Sequence, residues 1–347
     1  MNEPGLFEMD INDYHNDPAP PGEASLNASL VPWLLQCPAK ARVRHPKLNP
    51  GYQALATRKM DQGTIDHLVM LGKGRNLKII EADNYRTKAA QEARDAARAA
   101  GLIPCLPSDL ALAEAMHTAA MKQLEDFGVD NSFEGGLTEI AMLWKDDAGC
   151  WGRSLIDRLR NDLPTWQVWD YKTTERCVRP EDAGLGAHIV DMGYDTQIAV
   201  QERGLLTLFP TLAGRLRFRL LFQETEEPYL ISVVEPDAAT MAIARRKVDY
   251  AFKLWAECLR TETFPGYTPR VVTSQHADFL ASRWINREIA DSEREEVEPP
   301  PNPRRGPGRP QGSKARPKKR LLWEMRQKAI EEREREREQK QNPLEGG

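Results

Sequence analysis

No stretch of this 347-residue sequence approaches 18 uninterrupted apolar residues, the length a helix needs to cross a bilayer. A membrane span is therefore not expected. The amino-terminal run MNEPGLFEMDIND is acidic and lacks an apolar core, so no secretory leader is expected and the cytoplasm is the expected compartment. Cysteine is sparse: five residues, at 37, 105, 150, 177 and 258, with no CxxC spacing. That argues against a disulfide framework, a zinc ribbon or an iron–sulfur cluster. His15, His45, His117, His188 and His276 form no ligand cluster on a helix or short loop. Internal repeats are missing too. Nor is there a dominant charge: 48 Lys and Arg against 52 Asp and Glu leave a net charge of −4. The whole-chain balance thus shows no preference for nucleic acid, although it hides strong local segregation.

Apolar residues make up 40% and charged residues 29% of the chain, and mean hydropathy is −0.60. This describes a polar globular protein of one large or two ordinary domains. Residues 1–24, acidic and rich in Pro, Asn and Asp, read as a disordered leader. Residues 25–290 read as folded. Periodicity predicts helices over 61–71, 86–100 and 107–126 and a strand near 77–81. Strands at 137–144, 150–159 and 166–172 follow, separated by the turn-forming KDDAG and RNDLPT. A helical stretch over 187–208, strands at 215–223 and 229–234 and a helix at 237–260 complete the pattern. This order predicts an α/β domain with a central mixed β-sheet flanked by helices. Residues 291–303 read as an acidic, proline-rich linker, and 304–347 as a basic segment followed by a disordered charged tail.

The stretch that carries chemistry is 139–172. In WQVWDYK the strand period of two puts Val168, Asp170 and Lys172 on one face and Trp169 and Tyr171 on the other. If 150–159 folds against 166–172 as a hairpin, the midpoint of Asp157 and Asp170 falls inside the turn RNDLPT. The two carboxylates then sit opposite each other, with Cβ atoms about 4.5–5.5 Å apart. Such a pair repels, and a hard divalent cation relieves the repulsion. Lys172, two residues from one carboxylate, is placed to orient a water or offset charge on an attacked phosphate. Glu139 on the preceding strand offers a third carboxylate. The bland reading of an Asp-x-Lys strand is a solvated polar face.

Glu139, Asp157 and Asp170-Tyr171-Lys172, in this order on successive strands, resemble the PD-(D/E)xK nuclease superfamily, and within it the RecE-like (exodeoxyribonuclease VIII-type) exonucleases of phages and prophages. Four flanking pieces fit: LLQCPAKAR resembles the amino-terminal helix, and GTIDHLVML the segment that carries an active-site histidine, here His67. GYDTQIAVQ resembles the helix after the DxK strand, where Tyr194 and Gln197 match its recurring Tyr and Gln, and WAECLRTETFPGY resembles the terminal helix. SLIDRL around Asp157 departs from the usual proline-aspartate. The likeness spans about residues 25–280.

The resemblance implies a Mg²⁺-dependent exonuclease, with Mn²⁺ as an alternative metal, acting on ends of linear double-stranded DNA. Asp157, Asp170, Glu139 and the backbone carbonyl of Tyr171 would be metal ligands, with Lys172 and His67 in catalysis and Tyr194 and Gln197 on the DNA or orienting the lysine. It also implies a homo-oligomeric ring and a single-strand annealing recombinase as partner, in a bacterial cytoplasm. An endonuclease or RecB-type repair subunit of the same fold is the enzymatic alternative. A DNA-binding recombination scaffold is the non-enzymatic one. That last reading draws on residues 304–320, which hold eight Lys or Arg and no acid. Gly308-Arg309-Pro310 there resembles an AT-hook, whose arginine enters the minor groove, with Pro307 where a basic residue is commoner. A milder reading makes Arg305, Arg309, Lys314, Arg316, Lys318, Lys319 and Arg320 a salt-sensitive phosphate tether. The mildest makes them a solubilising tail.

Overall fold

The runs LTEIAMLWK, WGRSLIDRLR and WQVWDYKTT are rich in apolar, β-branched and aromatic residues, a composition that suits a sheet covered on both faces. A computed structural model describes residues 3–52, 57–74, 76–126, 135–271, 273 and 278–295, and the chain divides at Thr268–Pro269 into two units. The first unit begins with β1 (Gly5–Phe7), α1 (Ile11–His15), β2 (Ser25–Leu26), α2 (Val31–Gln36), α3 (Pro38–Arg44) and α4 (Arg58–Leu71). Next come β3 (Leu77–Ile79), α5 (Lys88–Ala99), β4 (Ile103–Cys105) and α6 (Pro107–Asp126). The sheet strands β5 (Leu137–Lys145), β6 (Trp151–Arg160) and β7 (Trp166–Thr174) lead to α7 (Ala183–Asp191) and α8 (Tyr194–Leu208). The unit closes with β8 (Leu216–Glu224), β9 (Ile231–Val234) and α9 (Ala238–Thr261). In the second unit α10 (Asp278–Glu295) extends helix into the segment expected as a linker. Among the described residues no helix is long and apolar enough to cross a membrane.

The central sheet is mixed, in the order β1-β5-β6-β7-β8-β9, with β2 beside β6. All pairs along that path are antiparallel except β7–β8. The α/β architecture expected from the element order is the one present. Helices α8 and α9 cover one face over a core that includes Trp144, Phe222, Phe252 and Trp255. Each such side chain contributes about 1.5–3 kcal/mol by burial. Helices α4 and α6 cover the other face, packing Met70, Leu71, Ala120 and Leu124 on Trp169, Tyr171 and Leu221. A small parallel pair, β3–β4, is joined by α5. The helical stretch expected over 187–208 is two helices, because Gly193 adopts φ +73° between them. This left-handed turn re-aims the chain so that α8 begins at the sheet. Two glycines set its depth: a Cβ on Gly152 would lie 2.3 Å from Trp144 ring atoms, and one on Gly204 2.5 Å from Met142.

The leader expectation is corrected. Residues 5–7 form an antiparallel strand on β5, and Asp17 is buried in a polar network. Its carboxylate accepts the Ser25 amide (2.9 Å) and hydroxyl (2.6 Å) and lies 3.2 Å from His45 Nε2 and 3.4 Å from Arg153. Composition reads this segment as polar, but Asp17 has buried partners on β2, on β6 and at His45 just after α3. Burial alone would raise the Asp17 pKa; His45, Arg153 and Ser25 outweigh it and hold the carboxyl well below its usual range. The contribution of Asp17 is thus fully present above about pH 4, its unfolded pKa, and fades as pH falls below it. Asp17→Asn is expected to cost about 3–5 kcal/mol at pH 7, and urea unfolding should show the gap to wild type narrowing as pH drops below about 4. A gap that is absent at pH 7, or unchanged with pH, contradicts this assignment.

Candidate active site

The sheet is two wings with a narrow hinge. β6 pairs with β5 along nearly its whole length, and β7 pairs with β8 over 166–174. Between them, β6 and β7 share a ladder only where 158–160 meets 167–169. Its register is the one the turn midpoint predicts, and one further step brings Asp157 opposite Asp170. There the main-chain ladder ends. Asp157 Oδ2 accepts the Tyr171 N–H at 2.9 Å, so a side-chain carboxylate replaces a backbone acceptor. Beyond this point the strands part around a cleft of about 710 Å³, walled by Ser154, Leu155, Asp157, Asp170, Lys172, the start of α8 and α2.

The alternation expected for β7 holds. Trp169 and Tyr171 pack toward α4 and α6, while Asp170 and Lys172 face the cleft. On β5 and β6 the alternation slips by one residue: Leu137 and Ile140, three apart, both pack on the main core, as do Ile156 and Leu159. The slip falls on Glu139, at φ +47°, and on Asp157, between the Thr138–Arg158 and Ile140–Ile156 pairs, where the ladder skips one step. A non-glycine residue in that region stores strain of order 1–3 kcal/mol.

Asp170 is 3% exposed. Gln197 Nε2 on α8 donates to its Oδ1 at 2.7 Å, and Lys172 Nζ lies 2.5 Å from its Oδ2 in an ion pair. Burial raises the Asp170 pKa, and Asp157 adds to the rise against the opposing pull of Lys172. Burial disfavours the Lys172 ammonium, yet Asp170 and Asp157 together outweigh it and raise its pKa. Two buried carboxylates thus hold one lysine charged. Its ammonium also lies 5.0 Å from the centre of the Tyr194 ring. His67 approaches from α4: its Nδ1 is 3.5 Å from Asp157 Oδ2, and its ring meets Tyr171 edge-on at 5.3 Å.

No protein-family description matches this chain, and neither does any curated protein. Among solved structures, one from Eubacterium rectale designated "Putative exonuclease" aligns over 79% of this chain and 97% of its own, at 12% identity and TM-score 0.51. A second, SSO0001, aligns over 65% of this chain and 84% of its own at 10% identity and TM-score 0.23. The chain shares its overall fold with that E. rectale structure.

Within that fold the site suits a hard cation in part. Asp170 Oδ2 is buried with no aligned hydrogen bond, and Asp157 opens into the same cleft. The Tyr171 carbonyl shares the strand edge of its N–H, which points at Asp157. These oxygens are the donor type Mg²⁺ takes. The expected third carboxylate is placed differently: the Glu139 carboxylate lies within 4 Å of where a Cβ on Gly74 would stand. Among the described residues no three His, Cys, Asp or Glu side chains gather as a metal-holding group. The left-handed turn at Glu139 accounts for this, since it rotates the side chain out of strand alternation.

Tyr194 and Gln197 touch Lys172 and Asp170 themselves, which favours the lysine-orienting reading over direct DNA contact. Gln201, next on that face, donates to the Leu155 carbonyl across the cleft. Arg305, Arg309, Lys314, Arg316, Lys318, Lys319 and Arg320 lie outside the described residues, as do the AT-hook-like segment and the tail after 295. Sequence reasoning missed Asp195, buried in the cleft wall and paired with Lys247 at 2.9 Å; its adjacency to Tyr194 was the available signal. It also missed β4, a three-residue strand containing Pro104.

The Tyr171 amide depends on Asp157 for its acceptor. Asp157→Asn keeps an amide oxygen there, whereas Asp157→Ala leaves the buried N–H unpaired. The alanine variant should therefore be less stable than the asparagine variant by about 1–3 kcal/mol in urea unfolding. Equal stabilities would mean that the carboxylate does not replace the ladder.

Proposed function

We propose that this chain is a divalent-cation-dependent deoxyribonuclease that hydrolyses phosphodiester bonds from the ends of linear duplex DNA. The observation that carries this reading is the meeting of Asp157 and Asp170 where the β6–β7 ladder ends, with Lys172 held charged against them. In this reading Asp157, Asp170 and the Tyr171 carbonyl hold Mg²⁺ or Mn²⁺. The bound cation supplies a more acidic water and neutralises phosphate charge. Lys172 orients the attacking water and offsets charge as the water oxygen bonds to phosphorus and one P–O ester bond breaks, its sugar oxygen leaving as a protonated hydroxyl. Gln197 fixes the Asp170 carboxylate, Tyr194 restrains the lysine, and His67 assists from beside Asp157, with Glu139 in a supporting role from its place beside Gly74.

Preference for DNA ends is supported by the RecE-like resemblance and by the designation of the E. rectale neighbour. From the resemblance we also infer single-stranded products for phage-type recombination in a bacterial cytoplasm, a ring of identical subunits and a single-strand annealing partner. A second reading, a recombination scaffold, draws on the eight cations of 304–320.

End-labelled linear duplex should be degraded with Mg²⁺ and spared without it, while closed circular DNA survives. Asp170→Ala and Lys172→Ala should each lower the rate by more than about 100-fold, beyond the loss typical of a supporting residue. Cleavage of circles points to the endonuclease. Intact linear DNA with a folded protein that binds it equally well as Asp170→Ala leaves the scaffold.

A further inference from the structure

Residues 24–60 contain neither Asp nor Glu, in a chain whose acids outnumber its bases. They hold six cations, and three are engaged within the fold: Lys47 donates to the Ala19, Pro20 and Glu23 carbonyls, Arg58 pairs with Asp109 and Lys59 with Glu175. The other three, Lys40, Arg42 and Arg44 on α3, have no carboxylate partner among the described residues. Each lies near an aromatic ring, and Lys40 also donates to Gln36 Oε1 at 2.7 Å. The Arg44 guanidinium is 3.7 Å from the centre of Trp33 and 5.8 Å from that of Tyr52. Arg42 lies 5.8 Å from Phe264, and Lys40 5.3 Å from Tyr267. Trp33, Tyr52 and Tyr267 are 37%, 38% and 70% exposed. Trp33 also walls the cleft that holds Asp157, Asp170 and Lys172.

Exposed rings beside unneutralised cations match a separated strand better than a duplex. A duplex buries its base faces and offers such a surface mainly phosphates, whereas a single strand offers both bases to stack and phosphates to pair. With rings against its faces and Nη1 donating to the Lys40 carbonyl at 3.3 Å, Arg44 turns its remaining N–H groups to phosphate oxygen. We propose that the α2–α3 face is a single-stranded DNA track that starts at Trp33 in the cleft and runs over Arg44 and Tyr52, with Arg42 and Lys40 alongside. That this strand is the one fed to or released from Asp157 and Asp170 rests on the nuclease reading; the binding itself does not.

The test is fluorescence anisotropy of the full chain without divalent cation, so that nothing is cut. The probes are a labelled mixed-sequence oligonucleotide of about 15 nucleotides and its blunt duplex, in about 200 mM salt to weaken diffuse attraction by the basic tail. Trp33→Ala and Arg44→Ala should each weaken single-strand binding about 10-fold, and duplex binding by less than about 3-fold. Arg44→Ala should also flatten the single-strand salt dependence by about 0.7 in log–log slope, one phosphate. Arg44→Lys should recover that slope but not the affinity. If Trp33→Ala fails to fold by thermal melting, Arg44→Glu decides, with a larger single-strand loss expected. Unchanged single-strand affinity in the folded variants overturns the track. Equal losses on the duplex overturn it as well, leaving a phosphate patch. A wild type that cuts no DNA but binds strands through Trp33 and Arg44 keeps the track and removes the nuclease reading. One that cuts, with variants binding as wild type, does the reverse.

Discussion

Three residues of ladder join the two halves of the central sheet, and everything at the candidate site follows from where that ladder stops. Had β6 and β7 paired along their full length, Tyr171 N–H would meet a backbone carbonyl and Asp157 would sit in an ordinary cross-strand pair. The strands part instead, and the cost of an unpaired buried amide is met by the Asp157 carboxylate. The opening admits α8 on one face, while His67 reaches Asp157 from α4. A buried carboxylate pair is expensive, and charge, not packing, compensates for it: Lys172 and Gln197 both converge on Asp170.

Helix α8 reaches the site because small residues let it. Gly193 turns the chain so that the helix starts over the cleft, and Gly204 lets it settle against Trp144 and Met142 two turns beyond Gln197. The side chains that fix Asp170 and Lys172 therefore come from a helix seated on a buried tryptophan, which is how rigid support is given to a polar site. The amino-terminal segment closes the same construction. Through Asp17, His45 and Arg153 it ties β2 to β6 on the wing that carries Asp157.

Much of this was legible in the sequence where one physical rule dominated. Period-two alternation placed Asp170 and Lys172 together and Trp169 and Tyr171 opposite, and the position of RNDLPT in the chain set the hairpin register. The rules failed where a tertiary partner overrode local character. Residues 3–24 look like solvated polar chain, and nothing near Asp17 announces a buried histidine 28 positions away. Strand alternation would put Glu139 in line with Asp157, yet its left-handed backbone turns it toward Gly74. Helical periodicity carried 187–208 as one stretch because it does not register a single glycine at positive φ.

The claim on which the account rests is that Asp157 and Asp170 together hold a divalent cation. Electron paramagnetic resonance of Mn²⁺ titrated into the wild type, Asp157→Asn and Asp170→Asn reads this without any turnover. The account predicts saturable Mn²⁺ binding by the wild type, weakened at least about 10-fold in both variants while their folds are retained. Equal Mn²⁺ binding by all three proteins, or none by the wild type, would contradict it.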